Sequence, residues 1–410
     1  MTVADYRPQS SLGWLDFDAA ASERVGTLLR ALDEPGTLDP IGLGPVRDAL
    51  SQILAPGVST IQTRLRYFVF LPWIFQRLAE ERTTPARFAA RLRDHEVRLI
   101  DCLHHLGPNH GIQGYTVRHN LSRMPSEAYW GGLRSWGICR VKMSLNEFGR
   151  AFSALTLRGP ERDDDGAAIE TSFGLWAPVP DPPDDFLDAD ISFELTADEA
   201  RFIGDQIRHH HPDSLLAVAT TFASEAALAE YPWQVEASKL PPRVAEMVRH
   251  AKCVAETTLG PQLLYNLLVA ERASQELGWD TRDLRDRLAA ALDEWVGLMS
   301  SDSESVEVWA ADRDSFYKAI GGEEAVPRST RVFVDSMIDA AIADPEGLAG
   351  DTAVRSAIRD REIKLKGKRA RLGPRSAIET WNGEPFGGML TFRWPTCVGY
   401  LEDLGAVEGL

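Results

Sequence analysis

The chain has 410 residues, 44% apolar and 26% charged, with 61 acidic against 44 basic side chains and a formal net charge of −17. That size supports a buried core without metals or disulfides, and the charge opposes indiscriminate adhesion to nucleic acid or anionic membranes, so either contact needs a local basic patch. Cys102, Cys139, Cys253 and Cys397 are too scattered for a metal or redox motif and read as reduced apolar residues; with no basic-then-apolar leader and no run of about twenty apolar residues, a cytoplasmic protein without membrane association is expected.

After the opening SLGWLDF, Asp18 is placed to cap a helix running to about Leu32, where DEPGTLD supplies a turn. A second helix is expected over Gly44 to Leu54, ended by Pro56 and Gly57. The stretch GVSTIQTRLRYFVFLPWIF, residues 57–75, then combines a helix start with a dense apolar and aromatic run. Ser59 or Thr60 is the cap, with Gln62 three residues after Ser59 as in a capping box, and Pro72 is expected to interrupt or kink the helix. Arg64 and Arg66 are candidate phosphate contacts, with pairing to acids as the alternative. Thr84 and Pro85 mark the next start, followed by the apolar stripe Phe88, Leu92, His95, Leu99, Cys102 and Leu106. His95, His104, His105, His110 and His119 with Cys102 form the densest local set of metal-ligand types, but their spacing is poor for zinc and no metal is assigned.

Residues 126–155 read as two short helices separated by a turn, capped by Ser126 and Ser144, with Glu147 completing a box at the second. Trp130, Leu133 and Trp136 of the first would meet Leu145, Phe148, Phe152 and Leu155 of the second, a pattern compatible with a helix-turn-helix followed by a small wing. Arg134, Arg140, Lys142 and Arg150 would then be phosphate contacts, with a helical pair of ordinary charged exterior as the alternative, since no convincing set of base-reading side chains accompanies them. From Glu161 through Asp205 fourteen acids stand against Arg162 and Arg201, and GPERDDDGAAIE and PVPDPPDDF read as a boundary; Asp163, Asp164, Asp165, Asp184 and Asp185 read as solvated. Thr196 and Glu199 form a further capping box, and His209, His210 and His211 read as turn-surface histidines before Pro212. Pro242 and Pro261 are expected near the starts of two adjacent helices, where His250 and Cys253 lie one turn apart and read as core rather than as a catalytic pair.

Two further helices are expected between Trp309 and Ala349, after which the chain changes character. From Arg355 through Arg375 nine basic residues face Asp360 and Glu362, a local balance of +7. Within it Lys364, Lys366, Lys368, Arg369, Arg371 and Arg375 are the strongest nucleic-acid candidates in the sequence, with protein contact, pairing to the acidic middle and a solvated face as alternatives. The terminal GGMLTFRWPTCVGYLEDL is expected to add a small strand or hairpin that packs back.

Four stretches, SLGWLDF, GTLDPIGLGPVRDAL, GVSTIQTRLRYFVFLPWIF and LKGKRARLGP, together resemble an uncharacterised bacterial family catalogued as domain of unknown function 6361. Their spread implies a resemblance over nearly the whole chain. It carries no activity and no catalytic residue set, and implies a setting among bacterial defence or mobile-element genes. The expected fold is mainly α, a multi-helical protein with a helix-turn-helix or winged-helix element and minor β. Its expected parts are an N-terminal helical domain at 1–122, the helix-pair unit with its acidic linker at 123–190, a helical domain at 191–350 and a basic segment at 351–410. No Walker loop, dinucleotide glycine pattern, metalloprotease motif or serine elbow is present at convincing spacing, so neither cofactor nor catalytic residue is assigned. The leading expectation is a noncatalytic interaction protein contacting DNA or RNA. The alternatives are a metal-dependent nuclease assembled from distant acids and a helical scaffold binding a protein partner.

Overall fold

A computed structural model describes residues 39–156 and 175–407. The expected helix Asp18–Leu32 and Asp163, Asp164 and Asp165 lie outside the described residues. Among the described residues the helices of nine or more residues are α1 Gly44–Leu54, α2 Tyr67–Glu80, α3 Pro85–Leu103, α4 Pro125–Ser135, α5 Leu145–Thr156, α6 Ala197–His210, α7 Pro242–Leu277, α8 Arg282–Ser301, α9 Ser303–Ala311, α10 Arg328–Ala343, α11 Thr352–Lys366 and α12 Trp394–Gly405. The chain divides into two compact units, one of Met1–Leu50 with Arg249–Phe392, the other of Ser51–Val248 with Arg393–Leu410.

The expected β component is absent: the described residues contain no strand, only an isolated antiparallel bridge between Cys139 and Trp176. Two hydrogen bonds flank it, Arg140 N–H to Leu175 O at 2.9 Å and Ala177 N–H to Ile138 O at 2.8 Å, and a single bridge does not make a wing. Where a terminal hairpin was expected, residues 394–405 form α12. Its buried Trp394, Cys397, Leu401 and Leu404 recur at three and four residues, which is the helical period and not the period of two that a strand needs. The helix-turn-helix expectation also fails, because residues 136–144 separate α4 from α5, far more than a three- or four-residue turn. The apolar face of α5 is turned into the core: Phe152 packs on Phe88 of α3 at 4.9 Å between ring centroids, and Phe148 packs on Phe75 of α2 at 5.5 Å.

The unit of residues 51–248 and 393–410 is built around α2. Tyr67, Phe68, Phe70, Trp73 and Phe75 are buried almost completely. Phe68 stacks on Trp136 at 4.0 Å, Phe75 on Trp176 at 4.9 Å, and Trp73 meets Phe186 edge-on at 5.0 Å. Each such side chain contributes about 1.5–3 kcal/mol on burial. Five of them outweigh the roughly 3 kcal/mol an internal proline costs, and α2 runs on through Pro72. Only half of the expected capping box of Ser59 and Gln62 forms, and it closes a turn eight residues before the helix: Ser59 N–H donates to Gln62 Oε1 at 2.8 Å, but the Gln62 backbone amide goes to Ser59 O at 3.0 Å, and α2 begins at Tyr67. Gln62 is buried and bridges the unit, its amide donating to Gly57 O and Ala128 O and its carbonyl accepting from the Tyr400 hydroxyl.

In the unit of residues 39–50 and 249–392, α7 supplies the buried wall and continues through Pro261, so the expected break between two helices is absent. Buried Asn266 on this helix exchanges two hydrogen bonds of 2.7 Å with the backbone of Phe386, and Gln262 accepts from Gly388 N–H. Asp351 caps α11 by accepting from Ala353 and Val354. Arg361 on α11 turns inward, donating to Ile41 O, Ser329 O and Thr330 Oγ1, which fixes α11 against residues 41–42 and α10.

Candidate functional site

The C-terminal end of α11 gathers the basic residues singled out in the sequence. Lys364 and Lys366 occupy its last turn, Gly367 reverses the chain with φ +55°, and Lys368 and Arg369 follow in a short 3-10 turn. What holds this turn is a buried carboxylate. Glu362 accepts from the Tyr265 hydroxyl at 2.8 Å and from the Arg371 and Leu372 amides at 2.9 and 2.8 Å, so all its charge is spent on the interior. The Tyr265 hydroxyl is driven well above its ordinary range, first by burial and then by that carboxylate, and it serves as the fixed donor of the pair.

Around this clamp lies a cleft of about 270 Å3 lined by Glu362 itself with Lys366, Lys368, Arg369, Arg371 and Thr380 among others. Lys364, Lys368 and Arg369 are exposed and Lys366 half-buried. None of the four makes an ion pair or side-chain hydrogen bond with another described residue. Arg371 is held flat, its guanidinium carbon 4.1 Å from the centroid of Phe386, and its carbonyl accepts from Arg272 at 3.0 Å. Arg375 faces Glu379 one turn on at 3.4 Å; an exposed pair of that kind is worth about 0–1 kcal/mol and yields readily to a competing anion.

Arg64 and Arg66 are elsewhere and engaged. Arg64 donates through Nε to Asp403 Oδ1 at 2.9 Å and through Nη2 at 2.5 Å, and Asp403 also accepts from the Leu65 amide. Arg66 forms a two-pronged pair with Glu199, at 3.0 and 2.8 Å, and donates to Ser192 O at 2.9 Å. The sequence alternative of pairing to acids describes their geometry, and neither carries the functional argument below.

The histidine-rich stretch is dispersed among separate partners. His95 is buried beside Glu81 at 3.1 Å, His104 stacks on Tyr115 at 4.3 Å, and His105 contacts Cys102 O at 3.1 Å. Among the described residues no three His, Cys, Asp or Glu side chains form a group able to hold a metal ion. His250 is buried and accepts from Trp309 Nε1 at 2.8 Å, while burial pushes the Cys253 thiol up to about 12, the opposite of an activated nucleophile. Arg134, Arg140 and Lys142 do come together, in a cleft of the unit containing α2 where His209 and His210 meet them; Arg150 is not part of it. That meeting has no local signature, since the histidines lie about seventy residues further along.

Comparison with known proteins decides the family. This chain belongs to DUF6361. The model of that family of unknown function matches residues 9–408, almost the full chain. No curated protein and no solved structure matches the chain. Among the described residues no helix is long and apolar enough to cross a membrane.

Proposed function

We propose that this DUF6361 protein is a noncatalytic interaction protein that contacts DNA or RNA through the basic end of α11, in the bacterial defence or mobile-element setting its family resemblance implies. One observation carries this: Lys366, Lys368 and Arg369 line one cleft and pair with no described carboxylate, since Glu362, which also lines it, is spent on Tyr265 and the 371–372 amides, and exposed Lys364 adds charge on the same helix end. Two of them sit in the last turn of α11, where the helix end accounts for part of their placement. Lys368 and Arg369 lie beyond the helix. Contact is with phosphate oxygens, which positions a strand without reading its bases.

The test is equilibrium binding of labelled single-stranded DNA, duplex DNA and RNA across a salt series. The comparison is a Lys364→Ala/Lys366→Ala/Lys368→Ala/Arg369→Ala variant that leaves Arg371 on Phe386. With about four phosphate contacts, duplex affinity falls roughly 100-fold between 50 and 200 mM salt, and the variant loses most binding at every salt. No binding at low salt by folded protein refutes the reading. A second reading, an acidic protein partner, is favoured by Ile363 and Leu365, which are 38% and 44% exposed between those lysines. Such a contact would weaken on Ile363→Ser/Leu365→Ser substitution, which leaves phosphate binding intact.

A further inference from the structure

The second cleft, within the unit of residues 51–248 and 393–410, encloses about 780 Å3 and is lined by Arg134, Arg140, Lys142, Gln206, His209 and His210 among others. Arg134 lies in the last turn of α4, Arg140 and Lys142 follow on the connecting segment, and the other three lie at the C-terminal end of α6. The two walls are fastened below the opening. Burial lowers the His211 pKa from its ordinary value, and its Nε2 stands 2.8 Å from Ser135 O, a carbonyl that can only accept, and 2.9 Å from Ser135 Oγ. Gly137, at φ +65°, lets the segment press against α6: a Cβ there would lie 1.9 Å from His210 Nε2. The amide of Arg140 is tied to Leu175 O, so its backbone is held while its side chain is exposed.

Three permanent cations thus surround one open volume, and no carboxylate is among the lining residues. Arg134, Arg140 and Lys142 make no ion pair or side-chain hydrogen bond with another described residue. Glu147, whose charge is felt by Arg134, is engaged with Ser144. Helix ends attract cations and account for Arg134 and the histidines. They do not account for Arg140 and Lys142, which lie outside any helix. Clustered like charges are relieved by an anion, and guanidinium groups match phosphate oxygens in geometry as well as sign. The volume is that of a small-molecule site. Burial pushes the lining Cys139 thiol up to about 11, so it supplies no nucleophile.

We propose that this cleft binds a small molecule bearing two or more linked phosphates, recognised through Arg134, Arg140 and Lys142. With no Phe, Tyr or Trp among the lining residues to stack a base, the phosphates carry the recognition. The experiment is calorimetric titration of the full chain with inorganic tripolyphosphate and, separately, with a nucleoside triphosphate, at physiological salt. Each is repeated on an Arg134→Ala/Arg140→Ala/Lys142→Ala variant and on the α11 variant above. The expected result is saturable binding that the cleft variant weakens by about 10-fold or more, the loss of one or more charge-assisted contacts, and that the α11 variant leaves unchanged. Equal affinity for the two ligands assigns recognition to phosphate alone, and tighter nucleotide binding adds a sugar or base contact; both support the site. Absence of saturable binding, equal binding by the cleft variant with an unchanged unfolding midpoint, or equal competition by sulfate overturns it. Binding of an oligonucleotide through the same three residues, with neither small ligand bound, overturns it in favour of a polymer.

Discussion

Replacing Arg66 by alanine separates two roles that its sequence context leaves open. The Arg66 side chain is 11% exposed and its partner Glu199 4%. Removing the guanidinium strips Glu199 of both charge-assisted bonds and leaves it accepting from the Thr196 amide at 3.0 Å, its half of the capping box of α6. Breaking a buried pair from one side costs about 3–5 kcal/mol because the remaining charge stays in the interior. Loss of the stacking of Arg66 over Phe70, at 5.2 Å, adds to this. Against a total stability of about 5–15 kcal/mol, Arg66→Ala should lower the urea midpoint severely. Arg66→Lys, which keeps charge but not the two-pronged geometry, should cost less. Arg66→Met/Glu199→Gln should recover part of the loss by removing the stranded charge. Urea titration followed by tryptophan fluorescence measures all three. An Arg66→Ala protein within about 0.5 kcal/mol of the parent, but with nucleic-acid affinity reduced tenfold, would refute this account and return Arg66 to the phosphate contacts.

Tyr129→Phe should cost about 2–4 kcal/mol, since its hydroxyl accepts from the Thr63 and Arg64 amides and donates to Arg64 O, and each stranded group costs about 1–3 kcal/mol; thermal unfolding reads the loss. Glu96, pushed up to about 8 chiefly by burial although Ser126 N–H donates to it at 2.6 Å, binds a proton more tightly folded than unfolded. Its contribution to stability is therefore full below about pH 4.5 and lost as pH rises through about 8. Urea midpoints between pH 6 and 9 should fall less steeply in Glu96→Gln, with the residual slope including Glu256, raised to about 7 by burial. Gly57→Ala meets a left-handed backbone at φ +82° and a Cβ 2.7 Å from Trp136 Nε1, the group that donates to Pro56 O. It should cost about 2 kcal/mol or more, seen as a lower unfolding midpoint, whereas an unchanged midpoint would mean that the turn relaxes freely.

Local signals were legible where a few neighbouring residues decide the outcome. The helix Gly44–Leu54 has the expected bounds, and the boxes Ser144–Glu147 and Thr196–Glu199 form as their spacing requires. The misses share a different cause. Pro72 and Pro261 signal interruption locally, but each lies in the largely buried stretch of its helix, and packing outweighs the missing amide. The terminal helix was hidden by GG, T and P residues that read as a hairpin, although the positions of Trp394, Cys397, Leu401 and Leu404 already held its period. For the site, composition located the basic run but not its clamp, because Glu362 looks like any surface acid until Tyr265 and the 371–372 amides close on it. The pairing of Arg64 with Asp403, across 339 positions, has no local signature at all.

The same inward turning of charge changes what the +7 tally of residues 355–375 means. Arg355 is paired with Glu271, Arg361 is spent on backbone carbonyls, Arg371 lies on Phe386 and Arg375 faces Glu379. That leaves Lys364, Lys366, Lys368 and Arg369 at the helix end, with exposed Arg359 two turns back on the face of Lys366. Each phosphate neutralised on duplex DNA contributes about −0.9 to the slope of log K against log salt. Four or five contacts therefore predict a slope of about −3.6 to −4.5, whereas all nine basic residues would give about −8. A salt series on the parent and on Arg355→Ala separates the two. The slope should be near −4 by the same relation and unchanged by Arg355→Ala, because that arginine is occupied by Glu271. A slope near −8, or a loss of about one unit in the variant, would mean that the interior pairs open to meet nucleic acid and that this basic surface is remade on binding.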